Sequence, residues 1–408
     1  MEPRRPLQEA SILEGLATMH MKFYGLWYCL NVTRTTGKVS RLFILVCALI
    51  VIIASTYVMF QIIYMFTIHL DLQKIAFVYL IVAPCMQDFY KVIFFLAKMQ
   101  EICLIYDTLL VDFLESIPKH KMPVVKEIYR RTAKKCNQVC SFAFSGLIIA
   151  GSIWLFVPGY DTDDPTSDRK KVLNGWYPFH YSESPRYELV YAYECIMTLW
   201  CGGWYCIFEC AILMPLICLC GHFDVLSYHI ATLKKSDMVH VLGRSSASHL
   251  ESNAFLNDQL KYILKDYEKL IRYGDTIRET YNLVITIILG VEIGNLTVIV
   301  LHLIFEDKDA MFLVKTGTYM SFQLIEVILI CFSSDMMGEA SSGIREALYC
   351  NEWYTTDRKL ATSQQLMMVR ASVPLTLTAV KMYPVNLETL LSIFQFIYST
   401  AALLSKMK

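Results

Sequence analysis

Apolar residues in this chain fall into runs of about twenty, the length that crosses a bilayer as a helix. Seven runs stand out, at 42–65, 75–97, 138–158, 189–220, 281–305, 312–337 and 387–405. The fourth has 32 residues, roughly 48 Å of helix, so it is expected to tilt or protrude, and Pro215 suggests a kink near its end. The stretch 98–137 reads as a continuation of the second run, then a break at Pro118 and Pro123, then a basic helix. In 221–280, a flexible middle at 242–253 precedes an amphipathic stretch with Leu260, Ile263, Leu264, Tyr267, Leu270 and Ile271 at helical spacing. Loop 159–188 is polar, with Pro, Gly and aromatics, and reads as a lid. The pattern predicts an all-α membrane protein with seven transmembrane helices.

Composition agrees. The 408 residues are 55% hydrophobic and 18% charged, against about a quarter charged in soluble chains, and mean hydropathy is +0.42. Net charge is zero, which gives no ground for a nucleic-acid partner. The polar start, "MEPRRPLQEASILEGL", does not read as a cleavable signal.

Charge bias sets the expected orientation. The N-terminus and loops 98–137, 221–280 and 338–386 hold 27 of the 37 Lys and Arg; the opposite side holds 8, with Lys91 and Lys315 inside spans. The N-terminus is therefore expected to be cytoplasmic and the C-terminus extracellular, with cytoplasmic helical extensions. This disfavours a G-protein-coupled receptor, whose N-terminus is outside. No Asp/Glu-Arg-Tyr triplet closes the third span and no Asn-Pro-x-x-Tyr occurs in the seventh. None of the 14 cysteines falls in an outer loop, so they are expected to act as small reduced hydrophobes. The two Asn-x-Thr sequons, at Asn31 and Asn295, fall inside the cell and inside the membrane.

No phosphate-binding glycine loop and no Cys/His cluster with metal spacing occurs, so neither an enzyme, a cofactor nor a metal is expected. The informative ionisable residues lie within spans: Asp88, Lys91, Glu194, Glu209, Glu292, Glu326 and Asp335, with Lys315 near an outer end. Asp88 and Lys91 are i,i+3 neighbours and are expected to pair. Structural pairing is the more frequent role for each such residue; a direct functional role is the alternative. No internal repeat of the transporter kind is present.

The last span carries Glu388, Ser392, Gln395, Ser399 and Lys406 along one helical face. Helix–helix hydrogen bonding or a water-filled path would each explain such a stripe. Asn386 is placed to cap this helix, and Leu391, Phe394, Tyr398 and Ala401 form the face expected to pack on protein.

The final segment gives a further clue. Ala347-Leu348-Tyr349, Trp353-Tyr354, Arg370, Pro374-Leu375 and Asn386-Leu387-Glu388-Thr389, followed by a short last span, resemble the C-terminal signature of insect odorant receptors. The order and spacing match over about 60 residues, and the seven-span plan extends the likeness over the chain. Many of these receptors read Ser-Tyr-Ser-Tyr-Phe in the last helix, where this chain has Ile397-Tyr398-Ser399-Thr400-Ala401. Gustatory receptors are the related alternative; their usual Thr-Tyr-x-x-x-Phe motif is absent. A G-protein-coupled receptor or a small-solute transporter are remoter readings.

The resemblance implies a tuning subunit that assembles with a shared co-receptor into a heterotetrameric, odorant-gated, non-selective cation channel in the plasma membrane of olfactory neuron dendrites. Its contacts would be the co-receptor, a volatile odorant, membrane lipid and permeating cations. The co-receptor carries a longer insertion between the fourth and fifth spans than the roughly 60 residues found here. The implied organisation is a cytoplasmic segment 1–41; transmembrane helices 1–6 over 42–337; a cytoplasmic anchor region 338–386; and a pore-lining helix with a short tail, 387–408. Odorant would bind in the outer half, between the second, third, fourth and sixth helices. Depth along the spans there places Phe77, Tyr79, Leu80, Leu147, Ala150, Trp154, Met197, Trp200, Tyr319, Phe322 and Gln323. Such a site suits a small apolar or aromatic volatile, with Tyr79, Tyr319 or Gln323 supplying one polar contact. An aromatic membrane belt is the alternative account of these rings. The pore would be lined by Ser392, Gln395, Phe396, Ser399, Leu403 and Lys406, with Ala402 or Leu403 at the constriction.

Overall fold

The computed structural model describes residues 22, 26–67, 72–111, 117–118, 121–156, 176–180, 183–233, 249–305, 310–351 and 358–406. Ten helices cover most of them: α1 Leu26–Thr36, α2 Arg41–Thr67, α3 Leu72–Ala97, α4 Met99–Val111, α5 Met122–Phe156, α6 Arg186–Ala231, α7 His249–Phe305, α8 Ala310–Cys350, α9 Arg358–Arg370 and α10 Leu387–Ser405. Six of them contain segments long and apolar enough to cross a membrane, and Leu387–Leu403 of α10 is a shorter apolar helix. These seven coincide with the seven apolar runs. The lid-like part of 159–175 and the flexible segment to 248 lie outside the described residues, as does most of 1–41.

The helical stretches expected to extend the spans are continuous with them. α7 has 57 residues and α6 has 46, roughly 85 and 69 Å, far more than a bilayer core. On the amphipathic part of α7, Leu260, Ile263, Tyr267 and Leu270 are buried, whereas Leu264 is exposed. Pro123 does not break the chain with Pro118: it is the second residue of α5, where the missing N–H is tolerated. Gly37 ends α1 with φ +69° and donates its N–H to the Thr33 carbonyl at 2.8 Å, the left-handed termination that glycine favours.

α6 is the central helix. Every residue from Gly203 to Phe223 is buried, the signature of a helix apolar all round. α5, α7 and α8 pack around it. By contrast α2 turns Leu42, Leu45, Leu49 and Ile52 outward, as a lipid-facing helix does.

Among the described residues one element is not helical. Leu377–Ala379 and Tyr383–Val385 form an antiparallel hairpin, which the all-α expectation missed. Pro374 and Pro384 bar a helix there, and the β-branched "TLTAV" favours extended backbone. Val380 and Lys381 at the turn have φ +53° and +58°, strained for a β-branched residue. The turn is pinned: Val380 N–H donates to Thr286 Oγ1 at 2.8 Å, and Asn282 Nδ2 donates to the Thr378 carbonyl at 2.6 Å. Leu377 N–H and Leu375 N–H donate to Ser334 and Ser341 hydroxyls on α8, each at 2.9 Å. The hairpin thus clamps the start of α10 to α7 and α8. At Gly274 on α7 an added Cβ would collide with the Leu375 side chain, so glycine lets this segment lie close.

α10 packs on α7 and α8 through Ile393 and Ile397, both buried. Of the face expected to pack on protein, Leu391, Phe394 and Tyr398 are exposed within this chain, Tyr398 at 77%. The β-branched Ile393 and Ile397 lie one turn apart and fill the groove against α7 instead. The polar stripe points directly away from this packed face: Glu388, Ser392, Gln395, Ser399 and Lys406 are all exposed.

Asn386 caps α10, its side-chain oxygen accepting the Thr389 N–H at 2.9 Å. Asn386→Ala is expected to cost about 1 kcal/mol and lower the melting midpoint of the solubilised receptor, while Asn386→Asp keeps it. Equal midpoints for Asn386→Ala and wild type would remove the cap from the account.

Candidate functional site

Four buried carboxyls and one buried lysine mark the middle of the bundle. Lys91 on α3 is fully buried. Its Nζ lies 2.6 Å from Glu209 Oε1 on α6 and 3.0 Å from Glu326 Oε1 on α8. The Tyr205 ring sits 4.1 Å below the ammonium, a cation–π contact. Gln87 donates to Glu326 at 3.1 Å, and Gln323 donates to Glu292 on α7 at 3.4 Å. One polar layer therefore joins four helices.

The expected Asp88–Lys91 pair is not what forms. Two carboxylates on neighbouring helices reach the ammonium directly, and the long lysine chain extends across the bundle to them rather than folding back along α3 to the short aspartate. Asp88 is left with Oδ1 buried and without a hydrogen-bond partner.

A cavity of about 200 Å³ opens beside this layer, towards the N-terminal end of α3. It is lined by Tyr57 of α2; Leu80, Ile81, Pro84, Cys85 and Asp88 of α3; and Leu147, Ala150 and Gly151 of α5. Met197, Thr198, Cys201, Gly202 and Tyr205 of α6, His302 of α7, and Lys315, Thr316, Tyr319, Phe322 and Gln323 of α8 complete it. Its surface is mainly apolar and aromatic, and it is smaller than sites for drug-sized ligands, which run from about 300 Å³. Tyr205 and Phe322 have ring centroids 5.1 Å apart and form a floor against the charged layer.

Of the residues depth along the spans selected, Leu80, Leu147, Ala150, Met197, Tyr319, Phe322 and Gln323 line this cavity. Tyr79 and Trp200 do not: each is 39% exposed. Tyr79 faces α7, where a Cβ at Gly294 would come within 2.9 Å of its hydroxyl. The side chains of Phe77 and Trp154 lie outside the described residues. The polar contacts expected of Tyr319 and Gln323 are committed elsewhere, since the Tyr319 O–H donates to the Leu80 carbonyl at 2.5 Å and Gln323 serves Glu292. Sequence reasoning did not select Tyr57, Tyr205 or Asp88. Tyr205 and Asp88 lie on helices expected to line the cavity, but which face turned inward was not readable from an all-apolar helix such as α6; Tyr57 lies on the first span, which was not expected there.

No group of three or more potential ligands able to hold a metal ion occurs among the described residues. A second, more open hollow of about 540 Å³ lies between α7 and α9, bordered by Leu264, Tyr267, Ile271, Leu366, Met367 and Arg370.

Residues 73–398 match the family described as 7tm Odorant receptor. Odorant receptor 67c of Drosophila melanogaster is 20% identical over 312 residues, 72% of each chain. The odorant receptor coreceptor of Aedes aegypti is 22% identical over 149 residues, 36% of this chain and 31% of that one. The structure of olfactory receptor OR5 from Machilis hrabei in complex with eugenol has the same fold, with a TM-score of 0.72 at 15% identity over 88% of each chain.

Lys91→Met would leave Glu209 and Glu326 buried and uncompensated, at a cost of about 3–5 kcal/mol. The variant is expected to lose most surface expression, and Lys91→Met with Glu209→Gln and Glu326→Gln to recover part of it. A single variant that expresses and melts like wild type would show that the layer is not structural.

Proposed function

The chain belongs to the 7tm odorant receptor family, a family of membrane receptors and not of enzymes, and from that premise we propose that it is the odorant-binding tuning subunit of a heteromeric, ligand-gated, non-selective cation channel. The observation that carries this reading is the exposed face of α10. A polar stripe from Glu388 to Lys406 lies opposite the packed Ile393 and Ile397, and is flanked by exposed Leu391 and Tyr398 on one side and Phe396 and Leu403 on the other. A polar line between apolar shoulders suits a helix that meets copies of itself around water. In this reading Ser392, Gln395, Phe396, Ser399, Leu403 and Lys406 line the pore, and Leu403 supplies an apolar constriction.

The N-terminus is cytoplasmic and the C-terminus extracellular, as the lysine and arginine bias supports. The aromatic cavity then sits in the outer half and takes a small apolar or aromatic volatile through Leu80, Leu147, Ala150, Met197, Tyr319, Phe322 and Gln323. The long inner parts of α6 to α9 form the anchor, where the hollow between α7 and α9 and the exposed Leu366 and Val369 suit subunit contacts. The co-receptor is the partner, in the dendritic membrane of olfactory neurons. Only 17 residues separate α6 from α7, which favours a tuning subunit over a co-receptor. Odorant opens the pore only if it binds the open arrangement more tightly than the closed one.

Recording from excised patches without nucleotides, with and without the co-receptor, tests the reading. Odorant-evoked current that needs the co-receptor supports it; a requirement for GTP, or solute flux without conductance, overturns it.

Trp154→Ala, Tyr319→Ala or Phe322→Ala is expected to shift odorant sensitivity about tenfold or more and leave unitary conductance alone. Altered conductance with unchanged sensitivity would refute the pocket. Ser399→Lys or Leu403→Lys is expected to change ion selectivity, block or current amplitude. Unchanged permeation in both variants would turn α10 away from the pore.

A further inference from the structure

Asp88 lines the cavity from α3 and is only 9% exposed. Its Oδ1 is buried and has no hydrogen-bond partner. An acceptor in that position lacks a bond that a donor could make. The cation that could have served it, Lys91, is held by Glu209 and Glu326. The Tyr205 hydroxyl is likewise buried without a hydrogen-bond partner, while three other polar side chains of the wall are engaged. Tyr319 donates to the Leu80 carbonyl, Thr198 to the Glu194 carbonyl at 2.8 Å, and Gln323 to Glu292. Asp88 therefore brings to a mainly apolar and aromatic wall a carboxyl with one oxygen unpaired.

We propose that Asp88 selects ligands bearing a hydroxyl group, alcohols or phenols, whose O–H donates to its carboxyl while the apolar body lies against Tyr57, Tyr319 and Phe322. The inference rests on the reading of this cavity as the odorant site. A hydroxyl fits better than the alternatives on three counts. It both donates and accepts, so it pairs with the carboxyl in either protonation state. It enters without the large dehydration cost of an ammonium. An ether or ketone presents only an acceptor and leaves the Asp88 oxygen without a donor.

The test uses the full receptor co-expressed with its co-receptor. Two series are compared, each with equal numbers of non-hydrogen atoms: benzyl alcohol, anisole and ethylbenzene; and 1-hexanol, methyl pentyl ether and heptane. In at least one series the alcohol is expected to activate at about tenfold lower concentration than its ether and hydrocarbon. Asp88→Leu is expected to abolish that gap. Equal potency within both series in wild type overturns the proposal, as does an alcohol preference that survives Asp88→Leu. Responses to other odorants with none to either alcohol also overturn it. Where surface labelling shows that Asp88→Leu does not reach the membrane, the wild-type series decides alone. No current with any odorant of a broad panel would instead remove the channel reading itself.

Discussion

The rest of the bundle depends on a single buried lysine. Lys91 brings α3, α6 and α8 to one point, through carboxylates 2.6 and 3.0 Å away. Its importance comes from what α6 lacks. A helix buried on every side has no apolar stripe to fix its rotation, and van der Waals packing alone would accept several. Glu209 removes that freedom, because only one rotation points its carboxylate at Lys91. Near the other end of the same helix, Glu194 accepts the Tyr177 hydroxyl at 2.6 Å and fixes it a second time. Polar pairs of this kind add little net stability compared with apolar packing, but they can specify one arrangement among several. With α6 fixed, Met197, Cys201 and Tyr205 face the cavity by necessity.

The same layer places the cavity next to the parts that reach α10. Tyr205 and Phe322 form the cavity floor, and Glu209 and Glu326 follow them by one turn on the same helices. Further along α8, Ser334 and Ser341 hold the backbone of the segment that leads into α10. The cavity wall and the clamp on the last helix are thus parts of one continuous 41-residue helix. The hairpin is the non-helical joint in that connection. Its strained Val380 is kept in place by Thr286 of α7, so the joint is tied to two helices at once.

The sequence told more about depth than about rotation. All seven apolar runs correspond to observed helices, because hydropathy over twenty residues averages out the detail of faces. Of the residues selected by depth along the spans, Leu80, Leu147, Ala150, Met197, Tyr319, Phe322 and Gln323 come together around one cavity. Facing was harder to read. Tyr79 turns towards α7 and Trp200 is partly exposed, although nothing in their local pattern separates them from Tyr319. The Asp88–Lys91 spacing looked like a helical pair, because partners on other helices are invisible along one chain. The hairpin was missed because its strands are three residues each, too short for an alternating pattern.

The exposed face of α10 poses a physical problem that one chain cannot solve. Ser392, Gln395 and Ser399 share a level of the helix with Phe396, Tyr398 and Leu403, and all are exposed. In lipid the Gln395 amide would lack a partner, and the hydroxyls of Ser392 and Ser399 would have only the carbonyls of Glu388 and Phe396 on their own helix. In water the three large apolar side chains would be uncovered. Neither solvent suits the whole face, whichever way the helix turns. A ring of like helices would suit all of it: the apolar shoulders would meet neighbours, and the polar line would face a shared aqueous axis. The narrow packing of α10 on its own chain, centred on Ile393 and Ile397, would follow from the same logic, since a helix whose other faces met neighbours would need only a narrow seam at home.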